Sequence, residues 1–425
     1  MLRTSSLDDV WGFSVLFDHH IIEQVISLWN RTDGSRSGLR FDHVKWAMET
    51  VFLAGLKREE DHPVQVSVAL LEPDFEIDHG SPGDNVAMRL ARRLPFTVDS
   101  LVKLAPAYDP TTTSIMVSIN PDDADQLEIH GALFSSRRGR TRFDIEPFSQ
   151  APPEALIIST QKTGALSVFR GGTVIARFNT GRFSEPTPTP FSSSLIGWGL
   201  LRGVKAQEEF RRNGILYWEH YRDFIDRLLV EASRRGHGGT VVWLPGNRLA
   251  TGRDWINEKY VLEDVQEGAS LLEALCSLEA LRHDTEVARR RGDEGAADIM
   301  VVTRTIHEVK RRVVEHIEML AHLTRVDGAL ILDDRLRPLS YGSILEAPAW
   351  TGKTLYGPDN DGYPHFHVDL TQYGTRHSSA VGFIGKIPDA VAFVLSQDGP
   401  VAGITGKDRD ALYWWPDCLS NIWAV

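Results

Sequence analysis

Cysteine is nearly absent. The 425 residues hold two, Cys276 and Cys418, too few for a disulfide framework or, by themselves, a structural zinc site. Long apolar runs are missing as well: stretches such as 51–56 extend over about six residues, far short of the ~20 that span a bilayer. Positive charge is outnumbered, with 46 Lys and Arg against 58 Asp and Glu and a net charge of −12. A partner such as a long nucleic acid or an anionic membrane surface calls for a basic footprint, so no nucleic-acid and no membrane partner is expected. Residues 1–15 carry Asp8, Asp9 and Trp11 and lack the apolar core of a secretory signal, so a soluble, cytoplasmic protein is expected. What is present is a globular composition. An apolar fraction of 42% with 9% aromatics excludes a disordered or collagen-like chain, and at roughly 100–200 residues per domain the length suggests two or three domains.

Hydrophobic periodicity sketches the organisation. Val44, Met48, Val51 and Phe52 form one stripe, predicting a helix over 41–56. Short β-branched runs predict strands at 64–71, 114–119, 127–134 and 155–159, and a hairpin of 165–170 and 173–178 turning at Gly171-Gly172. The proline- and serine-rich stretch 182–194 reads as a linker or extended arm, with the main boundary shortly after it, placing an N-terminal domain at 1–200 and a second at 206–425. The second half reads as α/β: helices at 206–234, 270–282 and 303–323, strands at 240–244, 329–332, 390–395 and 401–404, an irregular insertion over 347–373, and a helix starting near Thr375. Trp414-Trp415 and Trp423 read as core or dimer contacts.

Two short motifs carry chemistry. In Val326-Asp327-Gly328-Ala329 an acid stands at the mouth of a buried strand, followed by two residues too small to block a ligand. Asp327 can hold a divalent cation while Gly328 and Ala329 admit a flat base to the backbone; a turn acid before a close-packed strand is the plainer reading. In Tyr373-Gly374-Thr375-Arg376-His377-Ser378, Gly374 permits a sharp turn and Thr375 is a natural N-cap. The helix start that follows is an anion site, and Arg376 with His377 completes a phosphate clamp. A capped helix with two solvated basic residues is the alternative there.

In this order, together with Ala380-Val381-Gly382-Phe383-Ile384, Pro388-Asp389-Ala390, Ser396-Gln397-Asp398-Gly399 and the upstream strand Gly238-Gly239-Thr240-Val241-Val242-Trp243, the motifs resemble the diadenylate cyclase (DAC) domain of bacterial cyclic di-AMP synthases over residues 206–425. The resemblance implies a mixed sheet flanked by helices, preceded by an α+β N-terminal domain. It implies ATP as substrate, Mg²⁺ or Mn²⁺ as cofactor with Asp327 as metal ligand, and a homo-oligomer of at least two subunits meeting face to face. Each 3′-hydroxyl would attack the α-phosphate of the opposite ATP and expel pyrophosphate. Asp327, Arg376 and His377 would be the catalytic residues. Val326, Gly328 and Ala329 would line the adenine pocket, and Gly374, Thr375, Ser378, Ser396 and Asp398 would complete the substrate site. The family's usual Arg-His-Arg is Arg376-His377-Ser378 here, and its Ser-Glu-Glu is Ser396-Gln397-Asp398. Those departures keep a second reading open, a non-catalytic sensor that binds ATP or a cyclic dinucleotide through a DAC-like pocket.

A third reading, a metal-dependent hydrolase, rests on His365-Phe366-His367-Val368-Asp369, which on a strand would put His365, His367 and Asp369 on one face. The N-terminal half echoes the second. Ile129-His130-Gly131-Ala132-Leu133 parallels Val326-Asp327-Gly328-Ala329-Leu330, and Pro153-Glu154-Ala155-Leu156 parallels Pro388-Asp389-Ala390-Val391, as a degenerate duplicate of the cyclase fold would. Its placement also resembles the sensor modules found ahead of DAC domains. Arg137, Arg138, Arg140 and Arg142 form a basic cluster that reads as a solvated loop or an anion site.

Overall fold

The computed structural model describes residues 16–30, 39–71, 86–135, 143, 155–160, 163–179, 181–185, 190–263, 265–291, 298–351, 354–358, 363–397, 400–408 and 410–419. The arginine cluster at 137–142, Asp398 and Trp423 lie outside the described residues. The chain divides into two compact units, 1–139 with 146–186, and 140–145 with 187–425. Each combines helices with a mixed sheet, so the α/β class holds.

The first unit opens with helices α1 (His19–Asn30) and α2 (Phe41–Gly55), then β1 (Val66–Leu70), β2 (Val86–Pro95), α3 (Val98–Leu104), β3 (Thr113–Asn120), β4 (Asp123–Phe134), β5 (Leu156–Thr160), β6 (Ala165–Arg170), β7 (Thr173–Asn179) and β8 (Arg182–Ser184). The sheet order is β8-β7-β6-β5-β1-β3-β4-β2. Val44, Ala47, Met48, Val51 and Ala54 recur at helical spacing along α2, and that stripe is buried with Val66, Val68, Leu156 and Ile158. The β6–β7 hairpin turns through Gly171 at φ 53°, which the Gly-Gly pair permits. Strand β2 was not expected: its Arg-rich sequence suits an edge strand, where only one neighbour is paired.

The second unit runs α4 (Leu195–Lys205), α5 (Glu208–Arg234), β9 (Gly239–Leu244), α6 (Gly268–Arg290), α7 (Ile299–Leu323), β10 (Ala329–Asp333), β11 (Pro338–Leu345), β12 (Thr354–Pro358), β13 (Pro364–His367), α8 (Thr375–Lys386), β14 (Val391–Leu395), β15 (Val401–Asp408) and β16 (Ala411–Trp415). Its sheet order is β11-β10-β9-β14-β15-β16-β12-β13, with two short strands, Ile256–Asn257 and Tyr260–Val261, paired to the outside of β11. One face is covered by α5, α6 and α7, packing Phe224, Leu272 and Ile317 with Val241, Leu330 and Phe393. The other face is covered by α8, whose Ala380, Val381, Phe383 and Ile384 pack with Val242, Ala329, Ala392 and Trp414. Trp414 and Trp415 are therefore core residues, 1% and 0% exposed.

Three expectations need correction. The stretch 182–194 is not a plain linker: it contains β8 and ends on Ser194, which caps α4 by accepting from the Ile196 amide. The single helix expected over 206–234 is broken at Gly214, which has φ 58° and ψ −131°. The insertion over 347–373 contains two strands, β12 and β13, and β12 extends the sheet by pairing in parallel with β16.

The two sheets share one path. In the first unit β4-β3-β1-β5-β6-β7 lie side by side, and in the second β11-β10-β9-β14-β15-β16 do so in the same chain order. In each set one neighbouring pair is parallel, β1 with β3 and β9 with β10. All other neighbours are antiparallel. In each, helices of eleven residues or more precede the first strand, and edge-strand and helical segments lie between the parallel strands: β2 and α3 in the first unit, the short strands Ile256–Asn257 and Tyr260–Val261 with α6 and α7 in the second. Ala155 leads into β5 as Ala390 leads into β14, so that part of the second parallel coincides; Pro153 and Glu154 lie outside the described residues. The His130 parallel does not coincide. His130 sits on β4, the counterpart of β11, whereas Asp327-Gly328-Ala329 leads into β10. With Val68 set on Val241 through their partners (Ile158 and Ile115, against Phe393 and Leu330), the counterpart of Asp327-Gly328-Ala329 is Thr112-Thr113-Ser114.

His130 is instead a buried side chain, 9% exposed, whose Nε2 has no hydrogen-bond partner among the described residues. Burial, then the charges of Arg93 and Arg89, push its pKa down to about 4. The unfolded chain, near 6.5, takes up a proton that the folded one refuses, so His130's contribution is intact above pH 6.5 and is lost as pH falls toward 4. His130→Leu should flatten that part of the decline in denaturation midpoint between pH 6.5 and 4. An unchanged pH profile would contradict the assignment.

Candidate functional site

Four segments distant in sequence meet at one end of the second sheet. The parallel pairing of β9 with β10 sets Thr240 opposite Ala329, and the antiparallel pairing of β9 with β14 sets Gly239 opposite Leu395. The residues just outside these strands, Gly238, Asp327-Gly328 and Ser396, are thereby brought to the same edge. Helix α8 begins beside them: the Arg376 guanidinium donates from Nη2 to Asp327 Oδ1 at 3.0 Å and lies against Gly238, where an added methyl would overlap it.

Gly328 is needed for its backbone. Its φ is +120°, a conformation closed to side-chain-bearing residues at low energy, and a Cβ there would stand 2.6 Å from the Gly342 carbonyl carbon and 2.7 Å from Ser343 O. The resulting bend turns Asp327 out of the strand, leaving it 89% exposed while Ala329 is 2% exposed. An exposed carboxylate beside a guanidinium, over a flat backbone floor, is free to exchange partners: surface pairs of this kind contribute little to stability.

The start of α8 differs from expectation in one respect. Gly374, not Thr375, is the N-cap; it is extended and supplies no side-chain cap, and Thr375 is the first helical residue. The His377 and Ser378 amides close on Gly374 O. The Thr375 and Arg376 amides have no acceptor further back in the helix, as helix starts require, and they lie at the positive end of the helix dipole, the end from which Arg376 reaches Asp327.

His377 does not stand with Arg376 as a second cation. Its ring packs against Tyr373 and Trp414 at centroid distances of 5.2 and 5.3 Å. Burial first, and the Arg376 charge second, lower its pKa. That shift favours the neutral imidazole, and the ring contacts seat the helix start against Trp414. Ser378 is exposed, and Ser396 is half-buried at the end of β14. Val326 is half-buried beside Gly342, with Tyr260 and Tyr341 stacked 5.0 Å apart on the same side. Those tyrosines were not singled out in the sequence, and Gly238 was read there only as the start of a strand. The Gly238-Gly239 pair was visible, but nothing local tied it to an arginine 138 positions later.

The His-Phe-His-Val-Asp segment does not form the one-face triad on which the hydrolase reading rests. β13 ends at His367, and Asp369 instead caps a single turn, Leu370–Gln372, by accepting from the Thr371 amide and hydroxyl. No group of three His, Cys, Asp or Glu able to hold a metal occurs among the described residues.

The contact with Gly238 gives a sharp test. Gly238 has no unusual φ, and the group most in its way is the movable end of Arg376, with only Leu395 O of the backbone close by at 3.2 Å, so Gly238→Ala should shift denaturation midpoints little. It should still displace the guanidinium and lower any nucleotide affinity of this site about tenfold, the effect of ~1.4 kcal/mol. Unchanged affinity, measured by titration calorimetry, would show that Arg376 does not act from this position.

The other unit is the one that known proteins speak to. Residues 42–133 match the family model described as "Probable sensor domain DACNV". The match runs from α2 into β4 and does not extend into the second unit. No curated protein matches the chain. No helix among the described residues is long and apolar enough to cross a membrane.

Proposed function

We propose that the second unit is a diadenylate cyclase that condenses two ATP into cyclic di-AMP and two pyrophosphates, under the control of the sensor-type N-terminal unit. The observation that supports this most is the convergence of Asp327, the Gly328–Ala329 backbone, Arg376 at a helix start and Ser396 on one sheet edge. A carboxylate, a base-sized backbone floor, a guanidinium and free helix-start amides are the groups that a nucleoside triphosphate needs. The sensor-type match at 42–133 fits a regulated cyclase, since sensor domains of this kind accompany such enzymes.

The chemistry asks for charge stabilisation rather than a covalent intermediate. Each 3′-oxygen forms a bond to the α-phosphorus of the other ATP, the bond to the β-phosphate oxygen breaks, pyrophosphate leaves, and the hydroxyl proton passes to solvent. Arg376 and the Thr375 and Arg376 amides hold phosphate oxygens and carry their growing charge. Gly328 and Ala329 let the base approach the backbone, and Ser396 donates to a phosphate oxygen. His377, neutral, keeps α8 seated on Trp414. One exposed carboxylate fits Mg²⁺ or Mn²⁺ arriving with ATP, because such ions keep several waters and share substrate phosphates. Asp327 would hold the ion, which when bound neutralises charge on the α-phosphate.

Purified protein incubated with ATP and Mg²⁺ or Mn²⁺ should yield cyclic di-AMP and pyrophosphate, separated by chromatography. Ser378, a neutral hydroxyl exposed beside Arg376, favours one competing reading, a sensor that binds nucleotide without turnover. That reading prevails if no product forms with either metal while nucleotide still raises the melting temperature. A face-to-face reaction also demands two subunits. The rate per subunit should fall on dilution below the dimerisation constant, and a constant specific rate on deep dilution would contradict the paired arrangement.

A further inference from the structure

We infer that the N-terminal unit holds an uncharged, nucleoside-like ligand at Thr111, Thr113 and Ser135, the sheet end corresponding to the Asp327 edge of the second unit. The choice of ligand class rests on the nucleotide reading of that edge; the existence of the site rests on the first unit's own residues.

The shared strand path puts Thr112-Thr113-Ser114 where the second unit has Asp327-Gly328-Ala329. The chemistry there is changed throughout. Hydroxyls replace the carboxylate, and they gather: Thr113 pairs with Phe134 across β3 and β4, and the Ser135 amide donates to Thr112 O at 2.8 Å. Thr112 Oγ1 donates to Asp109 O at 3.4 Å and lies 3.5 Å from Thr113 Oγ1. Asp109 Oδ1 accepts from the Thr111 amide at 2.8 Å.

Two hydroxyls in this cluster are left over. Thr111 Oγ1 and Ser135 Oγ are both buried with no hydrogen-bond partner among the described residues, and Ser135 is 9% exposed as a residue. A buried hydroxyl left unpaired costs about 1–3 kcal/mol, so a fold that keeps two of them at one sheet end is better explained by a ligand that pairs them than by packing. The ligand's character follows from the donor set. Hydroxyls both donate and accept, which suits the amine, ring-nitrogen and ribose hydroxyl groups of a nucleoside. With threonine in place of Asp327, the corresponding position offers no carboxylate for a cation-bearing triphosphate. Thr111 and Thr113 lie inside the sensor-type match at 42–133, where a sensor's ligand site belongs.

The test uses the full chain, hydrogen–deuterium exchange, and adenosine as the probe. Adenosine should slow exchange in peptides covering 111–117 and 129–135. Thr111→Val, a near-isosteric change, should weaken that protection about three- to tenfold, the worth of one neutral hydrogen bond, while leaving the melting temperature unchanged or higher because an unpaired hydroxyl has been removed. Ser135→Ala should behave in the same way. Absence of protection by adenosine, equal protection in the double variant, or a melting temperature that drops in both single variants would overturn the inference. The cyclase reading fails separately, by ATP giving neither product nor protection over 374–386, a result that adenosine binding at 111–135 would not alter.

Discussion

Arg376→Ala should lower cyclic di-AMP formation about 10²- to 10³-fold, the usual effect of removing one preorganised donor from a developing anion, with little change in thermal stability. The two halves of that expectation have different origins. The rate effect arises because the guanidinium is the one full positive charge that the described geometry sets beside Asp327 at the helix start, 3.0 Å from its carboxylate. With His377 held neutral by burial and Ser378 carrying no charge, no neighbour in the motif replaces it. The small stability effect arises because Arg376 is 42% and Asp327 89% exposed, and exposed pairs of this kind contribute at most about 1 kcal/mol. A variant that keeps its activity, or one that loses its fold, would equally remove Arg376 from the proposed role. Rates and denaturation curves on the same preparation separate these outcomes.

Gly328→Ala should act in the opposite way, through the fold first. Its φ of +120° is strained for any side chain, and the new Cβ would meet backbone atoms of Gly342 and Ser343 at 2.6 and 2.7 Å. Neither neighbour is the flexible end of a side chain, so the β10–β11 pairing itself must shift. Backbone strain of about 1–3 kcal/mol joined to a backbone clash places the loss near 4 kcal/mol, in the range reserved for special backbone positions. The denaturation midpoint should fall sharply and nucleotide binding should go with it. A midpoint close to that of the unsubstituted protein would mean that Gly328 is chosen for ligand access alone.

Legibility in the sequence followed the range of the forces involved. Periodic apolar stripes gave α2 and α7, and β-branched runs gave β1, β9 and β14, because burial of one face is written locally. The Asp-Gly-Ala and Gly-Thr-Arg-His segments were visible for the same reason: a positive-φ turn and a helix start each need particular residues in succession. What was hidden depends on pairing between distant segments. Strand β12 sits in a glycine- and proline-rich stretch and becomes a strand by adding to β16. Helix α4 was masked by Gly197 and Gly199, and Gly197 is there because a Cβ would press on Phe191 O at 2.5 Å. His130 resembled Asp327 in its neighbours, yet strand identity is decided by partners, and its partners place it on β4. The neutral state of His377 could not be read from Arg376-His377, since it depends on Trp414, 37 positions further on.

The first unit was the less legible of the two because its shared path with the second resides in strand order and direction rather than in residues. Of the parallels drawn from sequence, the one that coincides precedes a central strand, where alanine and small apolar residues are forced by packing on both faces; Ala155 and Ala390 are 1% and 0% exposed. The edge that differs is where the chemistry differs, threonines and a serine on one side, Asp327 and Arg376 on the other. One scaffold thus carries a hydroxyl-lined end in the first unit and a charged end in the second.

The central claim, that the charged end joins two ATP molecules, is tested most directly by following the full chain with ATP and Mg²⁺ by ³¹P nuclear magnetic resonance. The account predicts loss of all three ATP resonances, with two pyrophosphates released for each phosphodiester-linked cyclic dinucleotide. Unchanged ATP, or release of inorganic phosphate with ADP in place of pyrophosphate, would contradict it.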